Sequence, residues 1–360
     1  MSYLYLPIDT KFFKDLENEL LACFSEDELD GYLIKSENYQ ALNTILPKFK
    51  EKVQTIYIDP PFNKKQKSDY LYNSKYRDSI WACFLENKLQ LATDLLKDTG
   101  GMFVKCDYNG NWLVRYLMDT VFGKNNFRNE IILKRTKTLK GENKRFNTSH
   151  DSLFFYAKNV DYLLFNGYKK LKDKSEWVRM HLPGAVKGDA SRVVFGKKIL
   201  PPTGRKWVLN QAGFDDAIKK GLIKWDDEIQ EPLFLSKYET IGSDWTDAPG
   251  YAFSWNFKTE NSEIILKRVI ESTSNEGDLV MDFFLGSGTT TAVAHKLGRK
   301  WIGVEMGEHF YSVVLPRMKK VLAYDKSGIS KEKDVKEMYN EKTAGGFFKY
   351  YELEQFENVI

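Results

Sequence analysis

Cysteine and histidine are scarce in this sequence of 360 residues. The three cysteines, Cys23, Cys83 and Cys106, lie far apart and form no CxxC pattern, which argues against a disulfide framework and a cysteine-based zinc site. The four histidines lack the helical spacing of a metal-ligand pair. We therefore expect no bound metal, and we expect thiols that suit a reducing compartment.

Long apolar runs are absent as well. No stretch approaches the roughly 18 consecutive apolar residues of a membrane-spanning helix, and the N-terminus carries Asp9, Asp15 and Glu17 instead of the apolar core of a signal peptide. We expect a soluble, cytoplasmic protein with no membrane partner. Charge of one sign is in small excess: the net charge of +4 permits a polyanionic partner without requiring one.

What the sequence does contain is an alternation of strand and helix patterns. Val53–Ile58 (VQTIYI) is apolar and β-rich, which is typical of a strand buried on both faces. Short connections between the patterns predict an α/β fold with a parallel sheet. Helices are predicted over residues 12–24, 39–46, 80–96, 111–122, 262–272 and 289–297, and strands from residue 31 and over 102–105, 131–134, 152–156, 279–283 and 301–305.

This alternation stops between residues 163 and 248. The stretch has scattered aromatic residues, Gly and Pro punctuation and no sustained periodicity, which indicates an inserted subdomain. The predicted organisation is an N-terminal helical segment over 1–31, an α/β domain over 32–162 and 249–325, the insert over 163–248, and a C-terminal extension over 326–360.

A glycine-rich turn follows the strand predicted over 279–283. The sequence there is LVMDFFLGSGTTT, and an acidic residue, Glu305, closes the next strand about twenty residues on. Glycines let a backbone approach a ligand closely, and a carboxylate at such a strand end accepts hydrogen bonds from ribose hydroxyls. This pattern suits a ribose-bearing cofactor, although an ordinary tight turn is the alternative. Thr291 replaces the third glycine of GxGxxG, which argues against a dinucleotide.

The buried strand Val53–Ile58 ends at Asp59-Pro60-Pro61-Phe62. Consecutive prolines fix the backbone and remove two N–H donors, which leaves carbonyl oxygens, a carboxylate and a ring. Such a site suits a planar group with an NH2, because Asp59 and the Pro60 carbonyl accept its two hydrogens while Phe62 stacks on its face. A strand-terminating proline turn is the alternative.

Together these motifs resemble the amino-methyltransferases of DNA. DPPF precedes FLGSGTT with an irregular insert between them, and this order is similar to that of their β class, in which the insert is the target-recognition domain. YIDPPFN, NFKTENSEIILKR, DFFLGSGTT, GRKWIGVEM and GGFFKYYELEQ most resemble modification subunits of type III restriction–modification systems. The resemblance implies a Rossmann-like, S-adenosylmethionine-dependent methyltransferase fold with permuted motif order.

The resemblance also implies an activity, which is methylation of adenine N6 in double-stranded DNA. Asp59 and the Pro60 carbonyl, with Pro61 and Phe62, would hold the amine and draw its nitrogen toward sp3 geometry, and the target base would be flipped out. Aspartate rather than serine before Pro-Pro favours adenine over cytosine N4. Implied partners are DNA, a second copy of the chain in a homodimer, and a restriction subunit.

By the same resemblance, S-adenosylmethionine is held near both motifs. Glu305 is expected to bind the ribose, Asn38 to face the adenine, and Thr289 and Thr290 to cap the following helix and contact the methionine carboxylate. The implied cofactor residues are Asn38, Asp59, Thr259, Asp282, Phe283, Phe284, Gly286, Ser287, Gly288, Thr289, Thr290, Glu305 and Met306.

The chain departs from the family in one element. Where the family often has Thr-x-Lys-Pro, this sequence has Thr259-Glu260-Asn261-Ser262, which puts any role of that lysine in doubt. The chain is also short for a type III modification subunit, so a stand-alone enzyme, a compact relative or a trimmed piece of a longer chain is an alternative.

DNA contacts are expected from two basic regions. The first follows the strand over 131–134, where Lys134, Arg135, Lys137, Lys140, Lys144 and Arg145 suit phosphate binding, with a solvated loop as the alternative. The second is the insert, which is expected to read bases.

Three rival functions remain. An RNA amino-methyltransferase would use the same strand end, and a catalytically inactive paralogue would only recognise DNA. The missing third glycine weighs against a nucleotide-dependent oxidoreductase.

Overall fold

The structure, a computed structural model, describes residues 7–61, 77–135, 146–186 and 188–354. The chain divides into two compact units, of which the first is Met1–Tyr168 with Gly242–Ile360 and the second is Lys169–Ile241. The insert predicted over 163–248 therefore differs from the second unit by about six residues at each end. The difference arises because residues 163–168 and 242–248 bond to the first unit, as in the hydrogen bond from Ile132 N–H to Ser243 O.

The elements are numbered along the chain. The α-helices are α1 Lys14–Cys23, α2 Asn38–Phe49, α3 Asp78–Leu95, α4 Asn111–Phe122, α5 Gln211–Lys219, α6 Glu263–Thr273, α7 Thr289–Lys296, α8 Leu315–Leu322 and α9 Lys333–Met338. The strands are β1 Gly31–Lys35, β2 Val53–Ile58, β3 Leu96–Cys106, β4 Phe127–Lys134, β5 His150–Ala157, β6 Lys169–Arg179, β7 His181–Pro183, β8 Arg192–Val194, β9 Lys197–Ile199, β10 Arg205–Trp207, β11 Ile223–Asp226, β12 Glu231–Thr240, β13 Asp244–Pro249, β14 Leu279–Asp282, β15 Lys300–Glu305 and β16 Phe348–Glu352.

The first unit is built on one sheet with the strand order β13-β4-β5-β3-β2-β14-β15-β1-β16. Most neighbouring strands run parallel, but β5 is antiparallel to both β3 and β4. The α/β fold with a parallel sheet predicted from the sequence is present, and β5 is the antiparallel exception within it. β5 pairs antiparallel with β4, the strand before it in the chain, and an antiparallel pair does not need the helical crossover that a parallel pair needs.

Helices pack on both faces of the sheet, and successive side chains of a strand point to one face and then to the other. In β2, Ile56 and Ile58 belong to a core that α2, α3 and α4 share. Thr55 lies on the other face, where its hydroxyl is 2.9 Å from that of Thr273 at the end of α6. Successive side chains of a strand point to opposite faces, so a strand covered on both faces must be apolar or hydrogen-bonded along its whole length. All six residues of β2 are buried, as the sequence predicted.

The two ends of the chain also belong to the first unit. β16 pairs in parallel with β1 and extends the sheet, so the segment predicted as a C-terminal extension contributes a strand to the fold. The helix predicted over 12–24 is divided at Phe13, with a 3-10 turn at Thr10–Phe12 before α1. Within the described residues, no helix has the length and apolar character needed to cross a membrane.

The second unit has a core of its own. β6, β12 and β11 form an antiparallel sheet, β8 and β9 form a hairpin, and β7 pairs antiparallel with β10. Its buried residues are few, which explains why the sequence shows no sustained periodicity there. Those that form its hydrophobic core are Met180, Val194, Trp207, Phe214, Ala217 and Ile223.

Candidate active site

A cavity of about 600 Å³ opens in the first unit at the carboxyl ends of the parallel strands. Ligands of open α/β sheets bind at this edge, because loops from several strands meet there. The walls include residues that follow β1, β2, β14 and β15, together with the segment between β13 and α6. The site residues predicted from sequence that line it are Asn38, Asp59, Pro60, Pro61, Thr259, Phe283, Phe284, Gly286, Ser287, Glu305 and Met306.

Asp59 lies at the centre of a small polar cluster. Its Oδ2 accepts hydrogen bonds from Asn261 Nδ2 at 3.0 Å and from Lys105 Nζ at 3.3 Å. Lys105 Nζ also donates to Asn261 Oδ1 at 2.7 Å, and it lies 3.8 Å from the centre of the Tyr251 ring. Burial raises the pKa of the Asp59 carboxyl, while the charge of Lys105 and the Asn261 amide oppose that rise. The cluster thus combines a desolvated carboxylate with one cation.

The two prolines present one bound carbonyl and one open carbonyl. Trp81 Nε1 donates to the Pro61 carbonyl at 2.9 Å, which anchors the proline segment to α3. Within the described residues, the Pro60 carbonyl has no hydrogen-bond partner. Both prolines line the cavity, and because they lack N–H groups their backbone offers a ligand acceptors but no donors.

A second cluster of charged side chains, centred on Arg135, lies beside the cluster around Asp59. Arg135 Nη1 contacts Asp107 Oδ2 at 3.4 Å and Asp151 Oδ1 at 3.3 Å, and both carboxylates are almost fully buried. The Tyr251 hydroxyl donates to Asp151 Oδ2 at 2.7 Å, and burial raises its pKa well above the ordinary value. Tyr251 therefore links the two clusters, since its ring also faces the ammonium of Lys105.

Glu305 is fixed at the end of β15 by two backbone amides. Gly286 N–H donates to Oε2 at 2.8 Å, and Gly307 N–H donates to Oε1 at 2.8 Å. Gly286 has a φ of 58°, which L side chains adopt with strain, so the turn favours glycine at this point. Each carboxylate oxygen keeps a further lone pair, so Glu305 can accept hydrogen bonds from a ligand in the cavity.

Asp282, Thr289 and Thr290 lie beneath the cavity wall rather than in it. Thr290 Oγ1 donates to Asp282 Oδ2 at 2.6 Å, and burial raises the pKa of Asp282 to about 7. Thr289 Oγ1 accepts from the buried Arg317 Nη1 at 2.9 Å. Gly288 is the N-cap of α7, so the expectation that Thr289 and Thr290 cap this helix is wrong. Their side chains stabilise the loop instead.

The wall on the other side of the cavity carries buried polar atoms without partners in the described residues. They are Ser36 Oγ and Asn38 Oδ1, while Asn38 Nδ2 donates to Phe283 O at 3.0 Å. A buried acceptor and a buried hydroxyl left unpaired cost free energy unless a ligand or water pairs with them. They therefore mark a place where a polar planar ligand can bind.

The predicted DNA-binding residues have different outcomes. Arg135 lines the cavity and pairs with buried carboxylates, rather than lying on an exposed basic loop. Lys134 is the last residue of β4 and is half-buried. Phe62, predicted to stack on the target base, and Lys137, Lys140, Lys144 and Arg145 lie outside the described residues.

Sequence reasoning missed several residues of the site. Lys105 lies in a strand whose sequence resembles an ordinary buried segment, and Tyr251 lies just after the insert predicted over 163–248. Asn261 belongs to the element in which the chain departs from the family, but nothing in the sequence predicts its contact with Lys105. The structure shows that β3 brings an ammonium to the element that lacks the lysine. A charged residue inside an apolar strand is the signal that could have found it.

Comparison with known proteins gives a consistent match. A family model described as DNA methylase, of the N6 and N4 methyltransferases, covers residues 53–315. A relative from Haemophilus influenzae, named "probable type III restriction-modification enzyme HindVI Mod subunit", is 28% identical, and the alignment covers 91% of this chain and 54% of that protein. The chain thus spans about half the length of this relative.

A shorter relative and a solved structure match as well. The type II methyltransferase M.EcaI from Enterobacter cloacae is 26% identical, with 84% of this chain and 70% of that protein covered. The crystal structure of an M1.HpyAVI–SAM complex is 16% identical with a TM-score of 0.45, and the match covers 80% of this chain and 98% of that one.

Proposed function

Because this chain belongs to the DNA methylase family, we propose that it transfers a methyl group from S-adenosyl-L-methionine to adenine N6 in double-stranded DNA. The observation that carries the proposal is that Asp59 and Pro60 line the same 600 Å³ cavity as Gly286 and Glu305. One cavity therefore offers acceptors for an amine and a carboxylate for a ribose. We further propose that the chain is the modification part of a restriction–modification system and acts in the cytoplasm.

The residues of the cavity fit S-adenosylmethionine. Its volume is within the range of small-molecule sites, about 300–1,000 Å³. Asn38 Oδ1 and Ser36 Oγ are buried polar atoms that lack partners in the described residues, and they suit the edge of an adenine. Glu305 is oriented by two amides to accept from ribose hydroxyls. When bound, the cofactor supplies an electrophilic methyl group on a sulfonium.

The chain's own residues act mainly by positioning. Asp59 and the Pro60 carbonyl accept the two hydrogens of the target amine, which draws the nitrogen toward sp3 geometry and releases its lone pair. Asn261 and Lys105 hold the Asp59 carboxylate in place, so that little reorganisation is needed at the moment of transfer. Since N6 is inaccessible in a duplex, the adenine must be flipped into the cavity.

Three further parts of the proposal concern the target base, the DNA contacts and the protein partners. Aspartate before Pro-Pro favours adenine over cytosine by analogy with the family. The second unit is proposed as the target-recognition domain, and Lys134, Lys137, Lys140, Lys144 and Arg145 as phosphate-binding residues. A homodimer and a restriction subunit are proposed as protein partners, which sizing chromatography and a pull-down would test.

The reaction is tested by transfer of a labelled methyl group from S-adenosylmethionine to unmethylated DNA, followed by nucleoside analysis. N6-methyladenine in DNA is the expected product. An equal amount of RNA is assayed in parallel, and methylation of RNA alone would favour the RNA methyltransferase. N4-methylcytosine would overturn the choice of base, and cofactor binding with no product on any DNA would favour a subunit that only recognises DNA.

We expect the substitution Glu305→Gln to weaken cofactor binding about tenfold, which is about 1.4 kcal/mol. Each carboxylate oxygen of Glu305 accepts a hydrogen bond from a backbone N–H, and the substitution replaces one of these oxygens with an NH2 group. The turn around Gly286 therefore loses an acceptor, and the ribose loses a negatively charged acceptor. Calorimetric titration with S-adenosylmethionine measures the change. Glu308→Gln is the matched control, because Glu308 is three residues away with its side chain 87% exposed. Equal affinities for both variants would contradict the assignment.

A further inference from the structure

The second unit carries an exposed aromatic side chain at the tip of a tight hairpin. Phe195 and Gly196 alone connect β8 to β9, and their φ angles are 48° and 77°. A two-residue turn with positive φ at both positions favours Asn-Gly, because asparagine tolerates this conformation and a bulky side chain is strained in it. The Phe195 side chain is nevertheless half exposed, so packing in the core does not explain a phenylalanine at this position.

The hairpin is held firmly below this tip. Val194 is fully buried in the core of the second unit. The Gln211 side chain accepts from Val193 N–H at 2.8 Å and donates to Val193 O at 2.9 Å, which fixes β8 against α5. A Cβ at Gly196 would meet no described atom within 4 Å, so the turn projects into open space. The ring is thus presented on a rigid support.

The charge of the second unit favours a polyanion as its partner. Residues Lys169–Ile241 contain 15 lysines and arginines but 10 aspartates and glutamates, a net charge of +5, whereas the rest of the chain has a net charge of −1. The excess is concentrated around the hairpin, since residues 179–206 contain seven basic residues and one acidic residue. Lys197 and Lys198 directly follow the tip.

We propose that Phe195 is a wedge that inserts between neighbouring base pairs of the DNA duplex, with Lys197 and Lys198 close to the flanking phosphates. A rigid apolar side chain among basic residues has the chemistry of such wedges, which separate base steps and unwind or kink the helix. Unstacking of this kind would also lower the cost of flipping a base. This inference rests on the proposed function, because it takes duplex DNA as the partner.

The test compares Phe195→Asn with the wild-type chain on plasmid DNA. Asparagine suits the backbone of this turn, so the hairpin is expected to keep its fold and its thermal stability. We expect DNA affinity, measured by fluorescence anisotropy on unmethylated duplex, to fall about tenfold, within the range for loss of one aromatic stacking contact. We also expect wild type, and not the variant, to change the linking number of plasmid relaxed by a topoisomerase at saturating protein.

Two controls make the outcome decisive. Tyr238→Asn removes another exposed aromatic ring of the same unit, from strand β12, and should leave the linking-number change intact. Phe195→Trp should retain the change, because it keeps a large ring at the tip. An equal linking-number change with Phe195→Asn and wild type would overturn the wedge. Failure of the wild-type chain to bind DNA at all would instead overturn the proposed function.

Discussion

Replacing Asp59 with alanine is expected to lower the rate of methyl transfer by at least about 10³-fold, with a much smaller effect on cofactor binding. Asp59 is the carboxylate placed next to the open Pro60 carbonyl, and its loss removes one of the two acceptors for the target amine. Loss of one preorganised polar group commonly costs about 10²–10³-fold in kcat. Here the loss also leaves the Lys105 ammonium without its carboxylate, so the positive charge beside the amine opposes reaction.

The measurement is single-turnover transfer on unmethylated DNA, together with calorimetric titration of the cofactor. Asp278→Ala is the matched control, because Asp278 also pairs with a lysine, Lys97 at 2.9 Å, but precedes the amino end of β14. That variant should retain transfer. Substantial transfer by Asp59→Ala would remove this residue from the mechanism, whereas equal loss in both variants would indicate a general effect of losing a buried carboxylate.

The parts of the site that local patterns predicted are those at strand ends. Asp59 follows an apolar strand and Glu305 closes another, and the ends of parallel strands meet at one edge of a sheet. Their positions in one cavity therefore follow from two short motifs more than two hundred residues apart. The antiparallel strand β5 could not be predicted in this way, because its apolar pattern is the same in either direction.

The parts that could not be predicted depend on contacts between distant segments. Arg135 belongs to a basic stretch in the sequence, yet its guanidinium pairs with Asp107 and Asp151 in the cavity wall. Charge counts alone do not distinguish a phosphate contact from an internal ion pair. Similarly, Lys105 and Asn261 are 156 residues apart, and only the folded chain brings their polar atoms to 2.7 Å.

Lys105 therefore has a testable role as a positioning residue for Asp59. Its side chain is fully buried, and its ammonium contacts the Asp59 carboxylate, the Asn261 amide and the face of Tyr251. Burial raises the pKa of Asp59, and the charge of Lys105 counteracts that rise. The isosteric change Lys105→Met removes this charge and keeps the stem of the side chain. The pKa of Asp59 must then rise further, since a neighbouring cation favours the ionised form.

The consequence for activity is a shift in its pH dependence. The ionised carboxylate of Asp59 is the stronger acceptor for the amine, and protonation replaces part of its acceptor capacity with an O–H donor, so we expect activity to fall at a pH below its pKa. We expect Lys105→Met to lower kcat about 10²-fold near pH 7, to move the acidic limb of the kcat profile upward by about one pH unit or more, and to restore part of the rate at higher pH. The KM for S-adenosylmethionine should change little.

The control for this change is Lys267→Met. Lys267 lies on α6, and its buried ammonium pairs with Glu332 and Asp334 at the start of α9. This substitution should lower thermal stability without moving the acidic limb, because no carboxylate of the cavity depends on Lys267. A role of Lys105 in folding alone would lower the rate equally at every pH and leave the profile unchanged in shape. If the acidic limb shifts in Lys105→Met but not in Lys267→Met, strand β3 supplies the charge that keeps Asp59 ionised. It does so in a chain whose Thr259–Ser262 element has asparagine in place of lysine.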